Sequence, residues 1–319
     1  MKIHVLDRSV IDTGDLCWDA FSQCGEVKLF DNTTPEEFAQ NAAGADSLIV
    51  VGLDITKSML DSCPDLKFIN LLSTGYDFVD VAAAKAKGIP VSNVSTYGTD
   101  SVAQMTVALL LELCNRVGLH DAAVRAGEWE RSGKFSFWLA PLKELSGKTM
   151  GVVGVGRIGR TTARIARAFG MRVLAFDEYA PPAGADSPYE MVGFEQLLEQ
   201  SDVVALHCPL TPETRGLMNK TSIERMKPGA ILINAARGAL VEEQALYDAL
   251  VSGHLAGAGL DVVAAEPIPS DSILLKAPNL ILTPHIAWAT KEARSRMLDL
   301  ALQNQLAFQS GTPINVVNP

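Results

Sequence analysis

Cysteine is sparse and follows no pairing pattern: Cys17, Cys24, Cys63, Cys114 and Cys208 make an odd set of five in 319 residues, with no CxxC spacing. That argues against a disulfide framework and against a structural zinc site, so no metal is expected and a reducing cytoplasm is the natural address. Positive charge is short too, with 27 Lys and Arg against 37 Asp and Glu and a formal net charge of −10. An acidic chain without a basic run is poorly suited to nucleic acid or an anionic membrane surface. No apolar run reaches the roughly 18 residues of a membrane span. The nearest, "SVAQMTVALLLELC", is broken by Gln104 and Glu112 and reads as a buried helix. The opening "MKIHVLDRSVID" lacks the apolar stretch and small-residue cleavage site of a signal peptide. Tandem repeats and low-complexity tracts are missing as well.

What is present is a globular profile, 48% hydrophobic and 20% charged, in a chain long enough for two domains with real cores. Strand-like runs at "KIHVLD" (2–7), "SLIVVG" (47–52) and "LKFINLL" (66–72) alternate with helical stretches at 35–44, 56–63 and 80–88. Alternation of this kind predicts a parallel, doubly wound sheet. A long helix over about 100–116 leads out of this unit. The aromatic-rich stretch at 127–148 follows, without clear periodicity and with Trp129, Phe135, Phe137 and Trp138 in need of cover.

From Thr149 the alternation restarts, with strands expected at "TMGVVGVG", "MRVLAFD", 202–209, 230–236, 255–262 and 279–285. The spacing of Thr221 and Glu224 predicts a capping box opening a short helix, and 241–253 reads as a helix with acids in its first turn. The tail at 291–311 is amphipathic, with Met297, Leu298, Leu302, Leu306 and Phe308 among its apolar positions. The fold class is therefore α/β, built from two doubly wound parallel-sheet domains.

Chemistry concentrates in the second unit. "GVGRIG" places Gly154, Gly156 and Gly159 directly after a strand and at the start of a helix. Such glycines allow a tight turn, approach of a pyrophosphate to the backbone, and close helix–strand packing. The next strand ends in Asp177, 18 residues past Gly159, where a carboxylate can accept hydrogen bonds from both ribose hydroxyls and repel a 2′-phosphate. NAD is therefore expected rather than NADP. Arg157 has two readings, a phosphate contact or a solvated first-turn arginine.

Three charged or titratable residues stand at or just past C-terminal strand ends: Arg237 in "NAARG", Glu266 in "DVVAAEP" and His285 in "TPHIAWAT". Hydride transfer to a carbonyl needs a proton donor titrating near neutrality, a carboxylate to orient it, and a cation for an anionic substrate. Histidine, glutamate and arginine are the natural choices for these roles. The bland readings are a core histidine and a surface ion pair, and the company of a nucleotide fingerprint favours the catalytic one. His4, His120 and His254 read as structural or solvated. His207 and Cys208 read as packing near the cofactor.

The ensemble of "GVVGVGRIGR", "HCPLTPETRGLMN", "MKPGAILINAARGALVEEQAL", "AGLDVVAAEP" and "LTPHIAWAT" resembles the D-isomer-specific 2-hydroxyacid dehydrogenases over nearly the whole chain. "STGYDFVDV", "NVSTYGTDSVAQ" and "FSFW" are most similar to the glycerate dehydrogenase (hydroxypyruvate reductase) branch. The resemblance implies a Rossmann NAD-binding domain at 100–290 and a smaller, flavodoxin-like substrate-binding domain made of 1–99 plus 291–319. It implies a dimerisation arm at about 120–145, hence a homodimer, and reduction of a small 2-keto acid to the D-2-hydroxy acid. On this basis His285 is the proton donor, Glu266 its partner and Arg237 the clamp on the substrate. Backbone amides of Ser73, Thr74 and Gly75 hold its carboxylate. Arg157, Ile158, Asp177, Pro209, Thr214, Ala235 and Asp261 match positions that touch NAD. One departure is Ala287, where glycine is common in the family, followed by Trp288, which either narrows the pocket or packs between domains. Oxidation of 3-phosphoglycerate or formate on the same scaffold, and an NAD-sensing corepressor-like protein, are the alternatives.

Overall fold

The structure, a computed structural model, describes residues 1–180, 184 and 186–319. The chain divides into two compact units, Met1–Gly98 with Trp288–Pro319, and Thr99–Ala287.

Among the described residues the first unit has five strands: β1 (Lys2–Val5), β2 (Glu26–Leu29), β3 (Ser47–Val50), β4 (Phe68–Leu71) and β5 (Val91–Ser92). They pair in parallel in the order β2-β1-β3-β4-β5, which is the flavodoxin-like order. β2 and β5 escape the sequence reading for different reasons. β2 is a mostly exposed edge strand with no apolar face to betray it, and β5 is only two residues long. β3 and β4 are buried along their whole length, as a parallel sheet covered on both faces requires.

The C-terminal helix Lys291–Gln309 belongs to this unit and buries Met297 and Leu298, but its inner face is more polar than an apolar stripe predicts. Asn304 and Gln305 are fully buried, Asn304 donating to Asn70 Oδ1 at 3.2 Å and Gln305 accepting from Ser47 Oγ at 2.8 Å. Arg294 forms a two-pronged bond to Asp15 at 2.7 and 2.9 Å. Leu306, expected inside, is 39% exposed.

The second unit has seven strands among the described residues: β6 (Thr149–Val153), β7 (Arg172–Phe176), β8 (Glu190–Met191), β9 (Val203–Leu206), β10 (Ala230–Asn234), β11 (Leu255–Leu260) and β12 (Leu280–Leu282). All pair in parallel, in the order β12-β11-β10-β9-β6-β7-β8. The chain winds outward from β6 through β7 to β8, then returns to β9 on the other side. This is the Rossmann arrangement, with its topological switch point at β6 and β9. The helix Thr99–Asn115 buries Leu109, Leu110 and Leu113 in this unit's core and packs on β10 and β11. At about 1.5–3 kcal/mol per fully buried aliphatic side chain, that face accounts for its burial. No single described helix is long and apolar enough to cross a membrane.

Two local expectations are corrected. The short helix near 221 begins earlier, at Lys220, and Asn219 caps it by accepting the Ser222 N–H at 3.1 Å, so Thr221 lies inside the helix and caps nothing. The stretch at 127–148 opens with a short helix at Glu128–Ser132 where no periodicity was expected, and a helix at Val117–Arg125 precedes it.

Candidate active site

The glycine turn is built as a cradle. Gly154 has φ +94°, and a Cβ there would lie 2.5 Å from the Cys208 nitrogen, so both the backbone and the neighbouring loop demand glycine. A Cβ on Gly159 would lie 2.0 Å from the Gly154 oxygen, because the helix Arg157–Ala168 starts tight against the turn. Gly156 differs: nothing lies within 4 Å of its would-be Cβ, so no protein neighbour requires its bareness. Open space over a peptide at a helix N-terminus fits an anion such as a pyrophosphate. Asp177, just past β7, is held beside this turn, its Oδ2 accepting the Val155 N–H at 2.8 Å and its Oδ1 the Tyr179 N–H at 3.0 Å. Each oxygen keeps a lone pair for a ribose hydroxyl. These residues fit NAD.

The other expected cofactor positions lie in the same unit. Arg157 is exposed and Ile158 half-buried at the helix start, and Ala235 is half-buried just after β10. The Thr214 hydroxyl donates to the Pro209 carbonyl at 2.7 Å, closing the turn at 209–214.

The loops after β10, β11 and β12 carry Arg237, Glu266 and His285. His285 Nδ1 lies 2.7 Å from Glu266 Oε2, with side chains 41% and 37% exposed. Glu266 Oε1 accepts the Val263 N–H at 3.0 Å. Desolvation is the largest single influence on this carboxyl and acts upward. The hydrogen bond from His285, the charge of His285, the Val263 N–H and the charge of Arg237 together outweigh it, so its pKa sits below the ordinary glutamate value. With Glu266 on Nδ1, Nε2 is the ring nitrogen left to exchange a proton. Arg237 Nη1 donates to the Ala236 carbonyl at 2.9 Å, which folds the guanidinium back over its own turn. Gly238 begins a short 3-10 turn, and glycine is needed there for space: a Cβ would lie 1.9 Å from the Val263 carbonyl carbon. The Arg237 and Glu266 loops therefore touch backbone to backbone.

His285 has φ 54°, the left-handed region, where a non-glycine residue costs about 1–2 kcal/mol. Asp261, 1% exposed, holds that conformation. Its carboxylate accepts the Thr283 hydroxyl at 2.5 Å and the Ile286 and Ala287 N–H groups at 3.0 and 2.8 Å, while its carbonyl accepts the His285 N–H at 2.8 Å. Sequence reasoning missed this role for Asp261 and did not see Thr283 at all. The available signal was an acid closing the apolar run "LAGAGLD". Trp288 belongs to the other unit, packed against the cluster of Ile3, Phe21 and Met297.

In the first unit the Ser73–Gly75 loop has its carbonyls tied back. Val94 N–H donates to Ser73 O at 3.0 Å, Asn93 Nδ2 to Thr74 O at 2.7 Å and Ser73 Oγ to Gly75 O at 2.6 Å. In a trans peptide the N–H points opposite the C=O, so the amides of Thr74 and Gly75 face away from these partners.

The remaining histidines are structural. His4 contacts the Asn41 carbonyl, His120 that of Arg116 and His254 that of Ile223. Burial pushes His207 down to about 4 and Cys208 up to about 11, so one is a neutral imidazole and the other an unreactive thiol.

A Rossmann unit whose fingerprint fits a dinucleotide, with a histidine–carboxylate pair and an arginine at its strand ends, defines a nicotinamide-dependent oxidoreductase. Residues 107–287 match the NAD binding domain of the D-isomer specific 2-hydroxyacid dehydrogenases. A hydroxypyruvate reductase of Blautia hydrogenotrophica is 49% identical over 321 residues, covering 100% of both chains. A glycerate dehydrogenase of Methylorubrum extorquens is 41% identical, covering 99% of this chain and 98% of its own. The solved glyoxylate reductase of Paecilomyes thermophila superposes with a TM-score of 0.85 at 30% identity, covering 99% of this chain and 98% of that one. The chain belongs to the D-isomer specific 2-hydroxyacid dehydrogenase family.

Proposed function

We propose that this protein reduces a small 2-keto acid, hydroxypyruvate or glyoxylate, to the D-2-hydroxy acid with NADH. The observation that carries the reading is the 2.7 Å His285–Glu266 pair, with Arg237 near enough to bias the same carboxylate. Bound NADH supplies the hydride. His285 Nε2 gives its proton to the keto oxygen, and Glu266 keeps the ring oriented. Arg237 holds the substrate carboxylate and polarises the carbonyl with its planar fork. The amides of the Ser73–Thr74–Gly75 loop also serve the carboxylate. Gly154, Gly156 and Gly159 receive the pyrophosphate and Asp177 the ribose, with Arg157, Ile158, Pro209, Thr214, Ala235 and Asp261 lining the cofactor. Asp261 contributes by holding the His285 loop.

We assign the protein to the cytoplasm, in keeping with its sparse cysteines. We also assign it a homodimer that covers Phe135, 96% exposed, and Trp138, 68% exposed; sedimentation of the purified chain as a monomer would remove that part.

The test of function is steady-state kcat/KM for NADH oxidation across hydroxypyruvate, glyoxylate, pyruvate and bulkier keto acids, with His285→Ala as control. Losing a positioned acid costs about 10²–10⁴ in rate. Near-normal turnover by His285→Ala would refute the assignment. Tight NADH binding with no turnover on any keto acid would point to an NAD sensor.

A further inference from the structure

Asn234 closes β10 with no exposed surface, an amide at the end of a strand otherwise made of Ala230, Ile231, Leu232 and Ile233. A primary amide removed from water is costly unless its groups are bonded. Both ends of this one grip the same turn: Oδ1 accepts the Ala236 N–H at 3.0 Å, and Nδ2 donates to the Arg237 carbonyl at 2.8 Å. The partners fix the orientation of the amide, since a backbone N–H must meet the oxygen and a carbonyl the nitrogen. The backbone of Asn234 is itself anchored, its carbonyl accepting the Asp261 N–H from the neighbouring strand at 2.9 Å.

Arg237 follows with extended backbone, φ −143° and ψ 136°, between Ala236 and Gly238. The clamped peptide groups set the direction of its Cα–Cβ bond, and Nη1 bonds back to the Ala236 carbonyl at 2.9 Å, so the turn that Asn234 grips also holds one edge of the guanidinium.

We propose that Asn234 is the positioning residue for Arg237, fixing through its side-chain amide the backbone that directs the guanidinium at the substrate. Asn234 touches neither substrate nor cofactor in this role. The proposal rests on the reading of Arg237 as the cation for the keto-acid carboxylate. Asp261, one strand over, holds the His285 loop in the same manner.

The experiment is a double-mutant cycle on the full chain, with NADH and hydroxypyruvate. Asn234→Ala removes both bonds, while Asn234→Ser keeps an acceptor for one N–H and cannot span the turn. A misplacement near 1 Å costs about 10²-fold, so Asn234→Ala is expected to lower kcat/KM about 10²-fold, chiefly through KM, and Asn234→Ser by less. The NADH Kd, read by fluorescence titration, should stay within about twofold, the scatter expected of independent sites. In an Arg237→Ala background, adding Asn234→Ala should change kcat/KM by less than about threefold, because the group it aims is gone. An undiminished penalty in that background would overturn the proposal, as would loss of NADH affinity in step with kcat/KM. If Asn234→Ala does not fold, the Asn234→Ser arm carries the same comparison. If Arg237→Ala alone left KM for the keto acid unchanged, the assignment of Arg237 would fall first and the role of Asn234 with it.

Discussion

Gly238→Ala is a single methyl placed where two functional loops meet. The added Cβ would lie 1.9 Å from the Val263 carbonyl carbon, 2.0 Å from its oxygen and 2.5 Å from the Ala264 nitrogen. Ordinary carbon contacts begin near ~3.5 Å, so the backbones must part by about 1.5 Å, and no flexible side chain is there to absorb the shift. On one side of the contact is Arg237. On the other, the Val263 N–H holds Glu266 Oε1 at 3.0 Å, and Glu266 holds His285. Overpacking of this kind costs about 1–3 kcal/mol, or a fall in Tm of roughly 2–10 °C for a protein of this size. The loss in catalysis should be larger than that in stability, since displacing a reacting group by about 1 Å costs about 10²-fold. The glycine cradle and Asp177 are elsewhere, so NADH binding should survive. The assay is NADH oxidation with hydroxypyruvate and glyoxylate, beside thermal unfolding and NADH titration. A variant with kcat/KM within about threefold of the parent would refute the claim that this contact sets the site's geometry.

Arg237→Lys keeps the charge but loses the fork; the loss of a charge-assisted hydrogen bond, about 1.5–3 kcal/mol, predicts a fall of about 10–10²-fold in kcat/KM with an unchanged NADH Kd. Asp177→Ser with Glu178→Arg should move the NADH to NADPH preference by about 10²-fold, two ribose bonds at about 1.5 kcal/mol each; an unmoved ratio of kcat/KM would contradict the ribose role. Asp7 offers a pH test in the first unit. Burial lifts its carboxyl from 3.8 to about 6 against the N–H groups of Thr33 and Val51, and Oδ2 has no partner among the described residues. The native state therefore holds the proton more tightly than the unfolded chain, so stability falls as pH rises from about 4 through 6. The full penalty above pH 7 is about 3 kcal/mol, at about 1.36 kcal/mol per unit. Asp7→Asn should be more stable than the parent in urea unfolding at pH 8, with the advantage gone near pH 4, and a pH-independent difference would count against the buried charge.

The sequence alone carried the two α/β units, the glycine fingerprint with its acid, and the Arg237, Glu266 and His285 candidates. Periodicity, strand-end position and residue chemistry are local properties, and they can be read along the chain. The structure then brought His285 and Glu266 to 2.7 Å. It also decided what no window of sequence contains. Gly238 must be bare because of Val263, which follows another strand and is remote in sequence. The tail helix looked amphipathic, yet Asn304 and Gln305 face inward because Asn70 and Ser47, more than 200 residues earlier, wait there with matching groups. The grip of Asn234 on its turn and of Asp261 on the His285 loop cannot be read along the chain, because their partners lie in turns whose position depends on the packed sheet. Apolar burial is generic and leaves a pattern in composition. The pairing of buried polar groups is directional and non-local, so it exists only once the strands are in register.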